Sequence, residues 1–493
     1  EMLSIWIASE AIEPDLIRIA PRLLEADSAF VALQREIAKM VEHYRHSEEA
    51  YDTAHLEVMF DQCEKQIDYL RRRGTGAGSG SSVKVAHLLE RLQQTIDRLK
   101  LLTNIQIETS RTRLTVNLMN AMIYAAVEQY STSHLRKSTI RMLARSITEN
   151  KSHHGEHYIT RNRSEYFKMF YSAAGGGVII ALMALNKIHI ASLGFGEFTT
   201  SFLAGLNYGL GFMLIHMLHC TVATKQPAMT AASFAEQVDS NEGSKAVDNK
   251  LAKLLIDVCR SQSVAVFGNV SIAILLAAGI AWGYAYTHGQ PLLNEAVTAY
   301  QLKSIEIFTQ PTLWYAAIAG VWLFCSGIIA GFFDNRSDYL NLRQRLPFNP
   351  LLRKIMRPEP RRRLAAYIHK HYGSLMGNFI FGMLLGMTGY FGHLFGLPLD
   401  IRHVAFSSAN LGYAAISDHV DIFTFMLGLA SVLAIGMVNL VVSFSLALAV
   451  ALRSRGTRLG SMRNLLKSFW SQVKANPLIL LYPVQVNNKE NTK

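Results

Sequence analysis

Six apolar runs, each about as long as a bilayer is thick, constrain the fold of this chain more than any other feature. They lie at residues 167–187, 200–222, 264–286, 312–333, 374–397 and 423–452. About 20 helical residues cover the roughly 30 Å of a hydrocarbon core, and only 17% of the chain is charged. We therefore predict an all-α protein with a six-span α-helical transmembrane bundle at residues 164–455.

Residues 1–163 have a different texture, because charged residues separate apolar positions that recur at spacings of three and four. The stretches FVALQREIAKMVEHY and VKVAHLLERLQQTIDRLKLL show the pattern, which is typical of amphipathic helices around a soluble core. The intervening GTGAGSGSS, residues 74–82, has the composition of a flexible loop, natural or engineered. We predict five or six helices here. The opening at Glu1 rather than Met leaves open a longer natural N-terminus.

The distribution of Lys and Arg orients the predicted spans. Residues 223–262 carry five, residues 335–373 carry ten, and the tail from residue 453 carries eight, whereas the alternate connections carry only Lys187, Lys303 and Arg402. By the positive-inside rule, the helical N-terminal region and the basic tail 456–493 are both cytoplasmic. The segment 401–417 then lies on the outer side, where it is too short to span and is expected to be re-entrant or interfacial.

Familiar catalytic and metal-binding patterns are missing from the sequence. The four cysteines form no CxxC pair, so they indicate reduced thiols and neither a disulfide framework nor a zinc ribbon. We find no GxxxxGK[ST], HExxH or GxSxG pattern. No cofactor is predicted, and whether the chain is an enzyme stays open.

Small and polar residues recur within the predicted spans. Glycines at a spacing of four, Gly205 with Gly209 and Gly382 with Gly386, favour close helix packing over a hinge or a substrate path. The intramembrane amides of Asn269, Asn378 and Asn439 are expected to hydrogen-bond across helix interfaces, with a polar path as the alternative.

Histidines near the ends of two spans are candidates for a metal or a proton site. His216 and His393 each follow a glycine of the stripes by seven residues, so both are expected to point at a partner helix, and His219 lies three residues after His216. A metal shared by His216 and His393 is disfavoured, because one lies at the inner and the other at the outer end, roughly 15 Å apart in height. Packing is favoured over a protonation role.

Polar residues also gather at the cytoplasmic ends of the spans. Lys225, Asp334, Asn335 and Arg336 are expected to form a substrate vestibule or a docking surface for the N-terminal region. A basic run follows, and it includes Arg353, Lys354, Arg357, Arg361, Arg362 and Arg363. Anionic lipid headgroups are its favoured partners, ahead of an acidic protein face or nucleic acid phosphate.

Several blocks of the chain resemble one known family. They are EHYITRNRSEYFKMFYSAAGGG, GLGFMLIHMLHCTVATKQPAMTAA, GFFDNRSDYLNLRQRL, GYFGHLFGLPLDIRHVAFSSANLGYA and GMVNLVVSFSLALAVALRSRG. In these blocks the chain resembles the bacterial membrane family named site-specific recombinase, of the gonococcal Gcr type. The resemblance implies a cytoplasmic helical region, a multi-span region in the inner membrane of a Gram-negative bacterium, and a role in DNA recombination.

The residues themselves favour a different activity. Recombinases set a Ser or Tyr nucleophile against a phosphodiester with several arginines around it, and no tyrosine- or serine-recombinase pattern is found. The leading hypothesis is therefore transport, lipid handling or envelope maintenance. The alternatives are a membrane-tethered DNA-binding or recombination protein and a membrane scaffold. Membrane lipids are the expected partners, protein partners or a homo-oligomer stay open, and nucleic acid is disfavoured.

Overall fold

The protein, described here by a computed structural model, is helical and divides into two compact units. The first unit comprises residues 1–150 and 335–356, and the second comprises residues 151–334 and 357–493. Between them the structure describes residues 1–20, 23, 28–47, 49, 51–75, 83–107, 111–129, 160, 162–222, 245–455 and 462–483. No strand occurs among these residues, which agrees with the predicted all-α class.

The first unit, called the N-terminal unit below, is a bundle of amphipathic helices. They are α1 (Met2–Ala11), α2 (Pro14–Ile19), α3 (Ala29–His46), α4 (Ala54–Thr75), α5 (Val83–Ile107) and α6 (Arg111–Gln129). Apolar residues of α3, α4 and α5 fill one core, in which Leu33, Ile67 and Leu92 are fully buried. Helix α4 runs to Thr75, and the rest of the predicted Gly/Ser loop, residues 76–82, lies outside the described residues.

Residues 335–356 group with the N-terminal unit although they follow the fourth long apolar run. They include the end of α11 (Thr312–Leu340), α12 (Leu342–Arg345) and α13 (Pro350–Ile355). The hydroxyl of Tyr339 donates a hydrogen bond to the carboxylate of Asp15, at 3.5 Å. The sequence pattern carries no sign of this grouping, since it depends on contacts between residues more than 300 positions apart.

A buried carboxylate joins α3 to the chain that leads into α4. Glu36, 5% exposed, accepts a 2.6 Å hydrogen bond from the Tyr51 hydroxyl. It also faces Lys39 at 3.4 Å and His55 at 3.2 Å. The hydrogen bond from Tyr51, followed by Lys39 and His55, lowers the pKa of Glu36 against the opposing effect of burial. The same hydrogen bond raises the pKa of Tyr51 to about 12.

The second unit, called the membrane unit below, holds the long apolar helices. Its helices are α7 (Arg163–Ser192), α8 (Glu197–Met217), α9 (Lys245–His288), α10 (Glu295–Ile305), most of α11, α14 (Pro358–Phe395), α15 (Val404–Ser417), α16 (Ile422–Arg455) and α17 (Met462–Ala475). Among the residues that the structure describes, six stretches are long and apolar enough to cross a membrane, at 163–192, 197–217, 251–288, 312–340, 358–395 and 422–452. The predicted number of spans is confirmed.

The second span ends five residues earlier than its apolar run predicts. Helix α8 stops at Met217, and His219 takes a left-handed backbone conformation with φ of 56°. The chain then turns back, and the Thr221 N–H donates to the Ser172 carbonyl at 3.0 Å. Apolar composition continues through this turn, so hydropathy alone placed the helix end at residue 222.

Helices α8 and α14 pack through the two pairs of glycines that the sequence singles out. A methyl group placed on Gly382 would overlap the backbone of Gly209, and one placed on Gly386 would overlap the backbone of Gly205. Because no Cβ separates the two helices, their backbones are in direct contact. In lipid such close packing supplies much of the attraction between helices.

We expect Gly382→Ala to destabilise the membrane unit by about 2 kcal/mol, because the added methyl group overpacks the α8–α14 contact. Thermal unfolding of the purified protein in lipid nanodiscs measures the effect. Gly283→Ala in α9 is the matched control, since no atom lies within 4 Å of a methyl group there. Equal unfolding temperatures for the two variants would show that the helices do not depend on this contact.

Acid stability of the N-terminal unit should depend on Tyr51. Because the folded-state pKa of Glu36 lies below its usual 4.5, the ionised carboxylate stabilises the fold at neutral pH, and that contribution is lost as the pH falls below about 4.5. Tyr51→Phe removes the main cause of the lowered pKa, so unfolding should begin at a higher pH.

Hydrogen–deuterium exchange of α3 peptides in the full chain, corrected for the intrinsic pH dependence, measures this change. Tyr124→Phe is the control, because Tyr124 lies on α6 in the same unit and is 72% exposed. An unchanged onset in Tyr51→Phe would contradict the assigned role of the hydrogen bond.

Candidate functional site around the segment 397–417

The short helix α15 lies inside the membrane unit. Ten of its fourteen residues are buried, and it packs against α7, α9, α10 and α16. A helix of this length covers about 21 Å, less than the hydrocarbon core. Helix α15 is therefore an internal element of the bundle and does not add a seventh span.

An irregular stretch, residues 397–403, leads from α14 into α15. Gly396, with φ of 62°, ends α14. The indole N–H of Trp314 donates to the Pro398 carbonyl at 3.1 Å, and the Arg402 N–H donates to the Tyr315 carbonyl at 3.3 Å. These bonds tie the stretch to the start of α11, so backbone groups outside a regular helix find partners within the protein.

Asn439 of α16 hydrogen-bonds the backbone where the irregular stretch 397–403 passes into α15. Its amide nitrogen donates to the carbonyl oxygens of Ala316 at 2.7 Å and Arg402 at 3.0 Å. Its amide oxygen accepts the N–H of Val404, the first residue of α15, at 3.1 Å. The side chain is fully buried. Asn439 therefore joins α11, α15 and α16, as expected for an amide inside a helix interface.

Arg402 and Asp400 form an ion pair in the same stretch. Nη1 of Arg402 lies 2.6 Å from Oδ2 of Asp400, and Nε donates to the Ser304 carbonyl at the end of α10, also at 2.6 Å. The guanidinium lies over the ring of Tyr315, with 5.3 Å to the ring centroid. Several fixed partners thus hold the orientation of this cation, and a carboxylate balances its charge.

Lys187 of α7 and Tyr208 of α8 face this ion pair from neighbouring helices. The Lys187 ammonium interacts electrostatically with Asp400 and Arg402, and the Tyr208 hydroxyl interacts with the same two residues. Asn186 and Asn207 immediately precede Lys187 and Tyr208 in the chain. The side-chain amide of Asn186 donates a 2.9 Å hydrogen bond to that of Asn207, which sets the relative height of the two helices. The membrane unit thus contains two cations and one carboxylate within electrostatic range of one another.

His216 is paired with a residue that the sequence did not single out. Its Nε2 lies 3.1 Å from Nδ1 of His371 on α14, and the Tyr367 ring lies against His371 at 4.6 Å between centroids. At least one of the two imidazoles must be neutral, because a hydrogen bond between them needs one acceptor nitrogen. His216 faces another helix, as its position on the glycine stripe predicts.

Asn269 of α9 serves as a second interhelical amide. Its nitrogen donates to the carbonyls of Ala173 on α7, at 2.5 Å, and Thr221, at 2.9 Å. Methyl groups at Gly176 or Gly177 would collide with this region. Asn269 therefore fastens α7, α9 and the turn after α8, and its donors are used up by the backbone.

Two of the predicted histidines lie at the surface. His393 does not point into the bundle as expected: its side chain is 74% exposed and lies 2.6 Å from Glu197, in the first turn of α8. The seven-residue spacing placed it on the correct face, but it lies in the last turn of α14, where α8 has only begun. His219 is exposed in the turn after α8, and its carbonyl accepts the Ser172 hydroxyl at 2.9 Å.

The residues predicted at the cytoplasmic ends of the spans divide between the two units. In the membrane unit, Asp334 accepts the Gly373 N–H at 2.9 Å, and Asn378 is half-buried. In the N-terminal unit, Asn335 is half-buried and Arg336 lies over the Tyr339 ring at 5.7 Å. Lys225 lies outside the described residues.

The basic run is largely open to its surroundings. Arg361 is half-buried, and the other five side chains, Arg353, Lys354, Arg357, Arg362 and Arg363, are exposed. Only Arg363 has an acidic neighbour in the described part of the chain, Glu359 at 4.0 Å. A surface of this kind can attract anionic groups but selects weakly among them.

The residues that the structure describes contain no candidate metal site. No three His, Cys, Asp or Glu side chains there are placed to hold one ion. The four cysteines are free thiols, and burial raises the pKa of Cys63, in the N-terminal unit, to about 12. That thiol is therefore protonated and unreactive at neutral pH.

Sequence reasoning missed the residues of the ion-pair cluster. The sequence singles out Lys187 and Arg402 only as two of the three cations in the alternate connections, and it gives no sign of Asp400 or Tyr208. The small number of cations in the alternate connections was the available signal of a functional role, because a charged side chain next to an apolar span is energetically costly. Which of these residues meet depends on how α7, α8 and residues 397–403 pack.

Comparison with known protein families identifies the family of the chain. A family model described as site-specific recombinase matches residues 1–483. Searches of curated proteins and of solved structures found no match.

Replacing Asn439 should destabilise the membrane unit strongly. Asn439→Ala leaves two buried carbonyls and one buried N–H without their partner, which should cost at least about 2 kcal/mol. Thermal unfolding in nanodiscs is the measurement. Asn464→Ala is the control, since Asn464 is an exposed residue of α17. A wild-type unfolding temperature for Asn439→Ala would mean that these groups are not sealed from water.

Proposed function

The chain belongs to the site-specific recombinase family, and we propose that it works as an integral protein of the bacterial inner membrane. Its proposed role is transport, lipid handling or envelope maintenance, carried out by the membrane unit. The observation that supports this role best is the segment 397–417, which combines the mostly buried helix α15 with the partly exposed Asp400–Arg402 ion pair before it.

Such a segment is energetically costly for a protein that only needs a membrane anchor. Non-helical backbone and charge are both costly in lipid, and they are tolerated where they line a cavity or serve a pathway. Transporters use broken helices of this kind to present polar groups to a substrate inside the bundle. A membrane tether for a cytoplasmic enzyme has no use for either feature.

The proposed orientation places both chain ends in the cytoplasm. It rests on the concentration of Lys and Arg in alternate connections between six spans. The segment 397–417 is then re-entrant from the outer side, and the exposed basic run meets the anionic headgroups of the inner leaflet. The His216–His371 pair lies near the opposite, cytoplasmic end of α8.

Charge distribution argues against DNA as the main partner of the N-terminal region. Residues 1–163 carry 22 basic and 21 acidic side chains, so nearly all of the net charge of +12 belongs to the rest of the chain. Proteins that bind duplex DNA usually present a clear excess of Lys and Arg to the phosphates. The family's description nevertheless favours a second candidate function, a membrane-tethered protein that acts in DNA recombination.

Deleting the gene in its host separates the two candidates. We expect the deletion to alter detergent and antibiotic sensitivity and the lipid composition of the envelope, and to leave recombination at a reporter locus unchanged. Wild-type protein should restore the envelope, and Arg402→Met should not, because it removes the cation that organises residues 397–403.

Arg343→Met serves as the control, since Arg343 is an exposed residue of α12, and the amount of each variant in the membrane is measured alongside. A normal envelope combined with reduced recombination would overturn the proposal. The second candidate would gain directly if the full chain in nanodiscs bound duplex DNA with an affinity that falls steeply between about 50 and 200 mM salt.

A further inference from the structure

One positive charge in the membrane unit lacks a counterion. Lys187 is half-buried and makes no hydrogen bond or ion pair within the described part of the chain. Its electrostatic neighbours are Asp400 and Arg402, but the Asp400 carboxylate is already engaged by the guanidinium at 2.6 Å. Two cations therefore share one anion, and the unbalanced positive charge is that of Lys187.

Tyr208 packs against the first turn of α15, close in sequence to Arg402, and its hydroxyl is also unused. Tyr208 is 3% exposed, and its ring lies against Phe406 with 4.2 Å between centroids. Among the described residues its hydroxyl has no hydrogen-bond partner, although it interacts electrostatically with Asp400 and Arg402. The hydroxyl of a tyrosine that is mostly buried normally has such a partner, so this one is available to a ligand.

The free groups have one chemical character. An ammonium offers up to three N–H donors with a full charge, and a phenol offers one O–H donor. Arg402 adds a second, firmly oriented positive charge, held by Asp400, Ser304 and Ile401. Such a set matches an anion with several acceptor oxygens, because charge-assisted hydrogen bonds to phosphate or carboxylate are the strongest that it can form.

We propose that Lys187, Tyr208 and Arg402 form a binding subsite for an anionic phosphate or carboxylate group. Lys187 supplies the charge, Tyr208 supplies a neutral donor, and the Asp400–Arg402 ion pair fixes the geometry. The inference deepens the proposed function. Binding of the anion does not require that function, but its transport or lipid role rests on it.

Direct binding to the full chain in phosphatidylcholine nanodiscs tests the subsite. Radiolabelled inorganic phosphate is the first probe and acetate the second, measured by equilibrium dialysis and by the rise in unfolding temperature that a ligand of the native state produces. We expect Lys187→Met to weaken binding at least about tenfold, since a bond to a charged group is lost. Tyr208→Phe should weaken it about fivefold, since a neutral bond is lost.

Two control variants separate the subsite from general charge effects. Lys168→Met removes an exposed lysine from the same helix and should leave binding unchanged. Lys187→Arg keeps the charge and should retain most of the affinity. Unfolding temperatures without ligand show that each variant is folded, and Lys187→Met should lose little stability because its ammonium makes no bond to the protein.

A second arm of the experiment distinguishes a lipid headgroup from a free anion. Native mass spectrometry measures how much phosphatidylglycerol the protein retains from mixed nanodiscs. Retention that Lys187→Met abolishes, without phosphate or acetate binding, assigns the subsite to a headgroup. Phosphate or acetate binding without such retention assigns it to a soluble anion.

Two further results bear on the proposal as a whole. If neither probe nor lipid depends on Lys187, the inference is overturned and Lys187 merely extends its ammonium towards water. Anion binding in a protein whose deletion leaves the envelope unchanged would remove the proposed function and keep the subsite.

Discussion

The need to pair every polar group inside the membrane unit governs the arrangement of its centre. Helix α15 begins inside the bundle, and an irregular stretch of chain precedes it. Such a backbone persists only if the protein supplies partners that water cannot supply in lipid. Asn439 does so for Val404, Ala316 and Arg402 at once, and Trp314 and Tyr315 do so for the residues before them. The rest of the site depends on this one junction.

The irregular stretch 397–403, fixed by these hydrogen bonds, positions the charged side chains of Asp400 and Arg402. Arg402 is anchored by backbone carbonyls and by Asp400, so its position is set before any ligand arrives. Lys187 and Tyr208 come from helices whose relative height is set by the Asn186–Asn207 bond and by the glycine contact between α8 and α14. Preorganisation of this kind is what a binding site needs, because little ordering is left to be done when the ligand binds.

Particular residues show how far sequence reasoning reaches. The glycines of α8 and α14 were found by their spacing of four, and the structure places the two pairs against each other. The amides of Asn269 and Asn439 were expected to join helices, and they do. For His393 the same reasoning found the correct face but not its exposure, because spacing records angle around a helix and says nothing about where the neighbouring helix begins.

The sequence by itself determined the helical class, the six apolar spans, the amphipathic N-terminal bundle and the faces on which helices meet. These properties follow from local periodicity and from the fixed thickness of a bilayer. Only the tertiary structure decided that His216 meets His371, that residues 335–356 belong with the N-terminal unit, and that Lys187, Tyr208, Asp400 and Arg402 converge. Each of these depends on which helices are neighbours and at what relative height, and that choice is made by packing between distant parts of the chain, which no local pattern records.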